Sequence, residues 1–227
     1  MPICHLERYE RPVPYPVALA RQRELADAVL AGVSPDTLLL LEHPPTITIT
    51  RGTSADEIRT PTDELAARGI AIVETDRGGR STYHAPGQLV VYPILDLRRH
   101  GQDLHVYLRS LEWSIIAALA DVGVTAEAIA GLTGVWTGGR KIAAIGVKTR
   151  RWVTMHGLSV NVDPDLRPMR DDLVPCGLYG RDVTSIAEVR GDTTVGRAQM
   201  ENALISQLAA AFNLQFVSVP TPGSHLP

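Results

Sequence analysis

The chain has 227 residues, 44% of them apolar and 21% charged, with a formal charge of −3. Such usage is ordinary for a folded protein and argues against a disordered or membrane-spanning class. The slight acidity speaks against general nucleic-acid binding, since phosphate affinity needs a net or clustered positive field, and the length suits one domain over residues 1–227.

The start, Met1-Pro2-Ile3-Cys4-His5-Leu6-Glu7-Arg8, lacks a basic stretch followed by an apolar run. Neither a secretory signal nor an anchor is expected, no stretch is long enough to cross a bilayer, and a cytoplasmic, reducing location follows. Cys4 and Cys176 are then expected as free thiols. Ala18, Gln22, Leu25 and Val29 recur at helical spacing before Gly32, which predicts a helix over residues 17–31. Residues 37–42 read as a buried strand broken by His43-Pro44-Pro45, and 46–50 alternate as a half-exposed one. Residues 70–75 and 88–95 are further apolar runs, separated by a glycine-rich stretch. Leu104, Leu108, Leu111, Ile115 and Leu119 mark a long helix ending near Gly123. Val135-Trp136-Thr137 and residues 141–147 look like a hairpin about Gly138-Gly139, and 153–162 give one more strand. Ser185-Ile186-Ala187-Glu188 has capping-box spacing, Met200, Leu204, Leu208 and Ala211 mark a last helix, and a frayed tail is expected after Pro220. Strands arrive in runs without regular β-α-β alternation, so an α+β layout is expected.

Three places concentrate chemistry. Asp76-Arg77-Gly78-Gly79-Arg80-Ser81-Thr82-Tyr83-His84-Ala85-Pro86-Gly87-Gln88 sets glycines, cations, hydroxyls and a histidine between two strands. Glycines admit close backbone approach to a ligand, and Arg, Tyr and His can orient a carbonyl or phosphate; a structural turn is the plainer alternative, and the ending of a phosphate loop is missing. Lys141 opens Lys141-Ile142-Ala143-Ala144-Ile145-Gly146-Val147, where period two places Lys141, Ala143 and Ile145 on one face. Burial there favours a neutral amine able to take a proton, whereas a strand-end lysine reaching into water is the alternative. Cys176, in Val174-Pro175-Cys176-Gly177-Leu178, sits outside any periodic element, which raises the chance of reactivity. The seven histidines show no paired ligand spacing, so no metal site is expected; His84 and His156 either polarise a carbonyl or satisfy buried hydrogen bonds. Arg77 and Arg80, Arg98 and Arg99, and Lys148, Arg150 and Arg151 either meet an acidic protein partner or form a solvated face.

Together, Arg77 through Gln88, Gly139-Arg140-Lys141-Ile142-Ala143, His156-Gly157-Leu158 and Pro175-Cys176-Gly177 resemble, in order and spacing, the octanoyltransferase family of lipoate biosynthesis. The resemblance runs from about Leu38 to Ser185. It implies a single α+β domain with a mixed, largely antiparallel sheet packed by helices, similar to the catalytic domains of biotin and lipoate protein ligases. It also implies transfer of an octanoyl group from acyl carrier protein, as the phosphopantetheine thioester, to a lysine of lipoyl domains. Those are the E2 subunits of 2-oxoacid dehydrogenases and the glycine-cleavage H protein; no cofactor, ATP or metal is implied. Residue by residue, Cys176 matches the acylated nucleophile and Lys141 the group that raises its thiolate share and shuttles protons. Arg77, Gly78, Gly79, Arg80, Ser81, Thr82, Tyr83 and His84 match a substrate-binding stretch, and Ala144, Ile145, Gly146, Gly157, Leu158 and Ser159 match segments lining the acyl site. Ala85 departs from the family, which more often has glycine there. Two other readings stand beside this one: an ATP-dependent lipoate or biotin ligase, and a non-catalytic carrier-binding module.

Overall fold

The computed structural model describes residues 1–174 and 180–221. Cys176 and the end of the tail therefore lie outside the described residues, and with them the expectations placed there.

Eight strands form the main sheet. Strand β1 (Ile3–Arg8) lies between β11 (Gln215–Ser218) and β2 (Asp36–Leu41), parallel to both. Beyond β2 the sheet runs through β6 (Gln88–Ile94), β10 (Val153–Asn161), β9 (Arg140–Arg150), β8 (Leu132–Thr137) and β7 (Glu127–Ile129), every pair antiparallel. A second sheet sets β3 (Thr46–Ile49) between β4 (Ala71–Glu74), parallel, and β5 (Thr82–His84), antiparallel. The layout is α+β, with mixed and largely antiparallel pairing.

Alternation along the central strands decides what each face holds. Leu89 and Val91 of β6, with Leu158 and Val160 of β10, pack beneath α3 (Leu104–Asp121) and α6 (Arg197–Phe212). Val90, Tyr92 and Ile94 turn the other way, toward α1 (Tyr15–Leu30). Helix α1 opens with a proline in its first turn, where no N–H is missed. Helix α3 is started by Asp103, whose side chain accepts from the N–H groups of His105 and Val106. Helix α6 closes on Asn213 in the left-handed region, at φ 52°. The small sheet covers its own cluster of Ile47, Leu65 and Tyr83, supported by α2 (Thr62–Ala67) and by α4 (Arg167–Asp171). Among the described residues no helix is long and apolar enough to cross a membrane.

One local expectation fails. The β8/β9 register shifts between Val135 and Trp136, and Ile142 and Ala143 both join the core under α3 and α6. The bulge interrupts period two between Lys141 and Ala143, and Lys141 lines a small cavity with both Ala143 and Ala144, beside Ser159 and Asn161, while Ile145 lies away from it.

Candidate functional site

Lys141 is 7% exposed, and its Nζ lies 5.4 Å from the centre of the Trp136 ring. Its N–H donates to the Asp182 carbonyl and its carbonyl accepts from the Thr184 N–H, both at 2.9 Å, so residues 182–184 run alongside β9 as a short parallel bridge with Val183. The lysine's small cavity shares Thr82, Ala144 and Ser159 with a larger one.

The larger cavity follows β9 and β10. Ala144 pairs across the strands with Ser159, and Gly146 with Gly157, so these two pairs of its bed carry small side chains or none, with Ile145 opposite Leu158 between them. Arg77, Gly78 and Gly79 form a wall. The Gly78 N–H donates to the Val147 carbonyl at 2.9 Å, and a Cβ on Gly146 would stand 2.9 Å from the Gly78 oxygen, so glycine is what lets the loop lie flat on the strand. The Arg77 guanidinium donates to the Thr48 hydroxyl at 2.7 Å, which braces the loop against the small sheet.

The stretch from Arg77 to His84 divides by strand alternation. Thr82 and His84 face the cavity with the glycines, whereas Tyr83, on the opposite side of β5, packs into the small-sheet cluster. Arg80 and Ser81 do not line the cavity either: they donate to the buried Glu57 carboxylate at 2.6 and 2.8 Å. Burial opposes the charge of Glu57, but hydrogen bonds from Ser54, Ser81 and Arg80 outweigh it and hold its carboxyl below the usual range. Ala144, Ile145, Gly146, Gly157, Leu158 and Ser159 all reach the cavity.

Tyr15, Tyr92 and His156 also line it, and no motif marks the two tyrosines. For Tyr92 a signal exists, because alternation from Gln88 puts residues 88, 90 and 92 on one face. The Nδ1 of His43 donates to the Val13 carbonyl at 2.6 Å. Its Nε2 is thereby left to accept from the Tyr92 hydroxyl, at 2.7 Å. Burial pushes His43 down to about 4, so the ring is neutral near pH 7. Burial, with His43 nearby, keeps His84 neutral as well. A chain of assigned polarity leads away from it: Asn161 donates to the Thr184 carbonyl and accepts from Gln88, whose Oε1 accepts from His84 Nδ1 at 2.6 Å. His84 is thereby tied to the segment that brackets Lys141. His156 holds φ 58°, a position strained for a residue with a side chain. Its ring hydrogen-bonds Asp76 at 2.9 Å and Tyr15 at 3.3 Å. Burial lowers its pKa against the pull of Asp76. Burial likewise opposes charge on Asp76, but hydrogen bonds from Lys148 and His156 prevail and bring it down to about 2.

The result is a slot with an amine near one part, a bed in which small residues flank Ile145 and Leu158, and buried histidines tied into hydrogen bonds. It can take a slender, flexible chain attached to a group presented near Lys141. Among the described residues no group of three or more His, Cys, Asp and Glu side chains could hold a metal.

Comparison with known proteins gives concordant results. The family described as the lipoyl protein ligase A/B catalytic domain matches residues 14–209. An octanoyltransferase of Roseiflexus sp. (strain RS-1) is 47% identical over 221 residues, covering 95% of this chain and 91% of the relative. An octanoyltransferase of Chloroflexus aurantiacus (strain ATCC 29366 / DSM 635 / J-10-fl) is 50% identical over 206 residues, covering 89% and 92%. Among solved structures, a bipartite lipoate protein ligase from Thermoplasma acidophilum superposes with a TM-score of 0.71 at 17% identity, covering 98% of this chain and 88% of that one; this is a likeness of fold.

Proposed function

The chain belongs to the octanoyltransferase family within the lipoyl protein ligase A/B group, and on that premise we propose that it carries an octanoyl group as a thioester on Cys176, with Lys141 as proton-transfer partner. The observation that supports this most is the bridge beside Lys141. Val183, seven residues after Cys176, pairs with that lysine, and the lysine's cavity opens on the slot.

In the first half-reaction Lys141 takes the Cys176 proton, and the thiolate attacks the carbonyl of an octanoyl thioester on the phosphopantetheine arm of acyl carrier protein. The carbon–sulfur bond to the carrier breaks, and the carrier sulfur leaves with the proton returned by Lys141. In the second, the amine of an acceptor lysine on a lipoyl domain attacks the Cys176 thioester. An amide forms, and the amine's proton passes through Lys141 to the cysteine sulfur as it leaves. Acceptors are the lipoyl domains of 2-oxoacid dehydrogenases and the glycine-cleavage H protein, in the cytoplasm. Thioester-to-amide transfer is downhill, so neither ATP nor a metal is required. Water must be kept from the intermediate, and the slot serves that need. Each buried methylene contributes about 0.8 kcal/mol, enough for several kcal/mol of binding over an eight-carbon chain.

Intact-mass analysis after incubation with octanoyl thioester tests the assignment. One octanoyl adduct is expected on the wild type and none on Cys176→Ala, which loses transfer by about 1,000-fold or more. Full transfer by Cys176→Ala refutes the nucleophile. Pyrophosphate release from ATP with free octanoate would indicate a ligase instead, and carrier binding with no acyl-enzyme a binding module.

A further inference from the structure

Beneath Lys141 the structure holds a feature that neither the acyl chain nor the carrier needs. Gly134 of β8 is buried at φ +116°, a conformation that side-chain-bearing residues rarely adopt. A Cβ built there would stand 2.6 Å from Lys141 Cε, 3.3 Å from its Nζ and 2.7 Å from the Ala143 carbonyl oxygen. The lysine's terminal methylene thus rests in the space a side chain would occupy, with the Trp136 ring 5.4 Å from the ammonium nitrogen. The glycine's own N–H points toward α3, where it donates to the Glu112 carboxylate at 3.0 Å. Glu112 is 1% exposed, and its other oxygen is paired with Arg109. A carboxylate buried in the core costs several kcal/mol unless it is paired and hydrogen-bonded, and an apolar residue of similar size would serve packing at least as well.

We infer that Glu112 and Gly134 are positioning residues for the reaction: the carboxylate fixes the left-handed turn of β8, and that turn seats the Lys141 amine where it exchanges a proton with Cys176. The inference rests on the proposed cysteine–lysine pair. Glu112 touches no reacting atom; it acts only through Gly134 and the lysine. A misplacement of about 1 Å in such a site costs on the order of 100-fold in rate.

The test compares wild type with Gly134→Ala, Glu112→Ala, Glu112→Gln and Lys141→Ala, each first checked for a cooperative melt. The readout is the rate of iodoacetamide alkylation against pH, mapped by peptide mass to Cys176 and so separated from the buried Cys4, alongside single-turnover octanoyl transfer. Gly134→Ala and Glu112→Ala are expected to move the alkylation profile toward that of Lys141→Ala and to slow transfer by about 10-fold or more. Glu112→Gln keeps an acceptor for the Gly134 N–H and is expected to lie near wild type. Should Gly134→Ala not fold, the Glu112 pair decides alone. Wild-type profiles for these variants, with Lys141→Ala displaced, overturn the positioning inference and leave the cysteine–lysine pair standing. A wild-type profile for Lys141→Ala overturns the pair, and the inference falls with it.

Discussion

The two faces of the main sheet are made by the same strands yet hold different chemistry. Leu89 and Val91 look toward α3 and α6 into an aliphatic cluster that includes Leu111, Ile115, Leu119, Leu204 and Leu208. Their immediate neighbours Gln88 and Tyr92 look the other way, into a region where His43, His84 and Asn161 are buried and bonded to one another or to carbonyls. One face gains its free energy from apolar burial, at roughly 25 cal/mol per Å². The other adds to its own apolar cluster a set of buried polar groups that is tolerable because His43, His84, Gln88 and Asn161 are bonded to partners. Both faces bury apolar surface under helices, but the buried polar network that offers a capacity for chemistry lies on the α1 side, beside the small sheet.

The comparison breaks first, if it breaks, at Lys141. Replacement by alanine is expected to lower single-turnover transfer by about 100-fold to 10,000-fold with little change in urea midpoint. A variant that mainly unfolds, with normal activity per folded molecule, would make the lysine structural. On the opposite face, Leu111→Ala is expected to cost about 2–5 kcal/mol of unfolding free energy while folded enzyme keeps its turnover; selective loss of turnover would mean that the faces are not separable. Tyr92→Phe leaves His43 Nε2 without its donor and is expected to cost about 1–3 kcal/mol, measured by chemical denaturation. The most gradual effect is the pH dependence. His43 sits near 4 in the folded protein against about 6.5 unfolded, so the unfolded chain binds more protons between those values. Its contribution is complete above about pH 6.5 and declines as pH falls toward 4, by about 1.4 kcal/mol per pH unit. His84 and His156, shifted the same way, steepen the decline. Urea midpoints that do not change between pH 7 and pH 5 would remove this account.

Much of this division can be read from the chain, and the failures have physical causes. The helices α1, α3 and α6 and the strands β2, β6 and β10 carry periodic or continuous apolar patterns because each buries a whole stripe or both sides. Strands β1 and β11 leave no such mark: they are short, partly exposed and paired with each other from opposite ends of the sequence, so no local turn announces them. The glycine stretch from Arg77 is legible as a binding loop, but which of its residues face the slot depends on the three-residue strand β5, too short to show alternation. The shift at Val135 and Trp136 interrupts the alternation expected from Lys141 onward, since a bulge adds one residue that periodicity cannot foresee. Tyr15, His43 and His156 come from three separate stretches of chain and meet only when it folds.

The slot's bed has a consequence for engineering. At Ala144 opposite Ser159 and Gly146 opposite Gly157 little side-chain bulk is left to trim, so along β9 and β10 the trimmable bulk is that of Ile145 and Leu158, and the Gly157 position cannot grow, because a Cβ would stand 2.2 Å from the Val91 oxygen. Under the proposed acyl assignment, a tail lying on those small pairs is gauged by the main chain itself, as inflexible as the spacing of hydrogen-bonded strands. Retuning for longer tails on that assignment begins at the larger side chains that line the slot, Ile145, Leu158, Tyr15 and Tyr92.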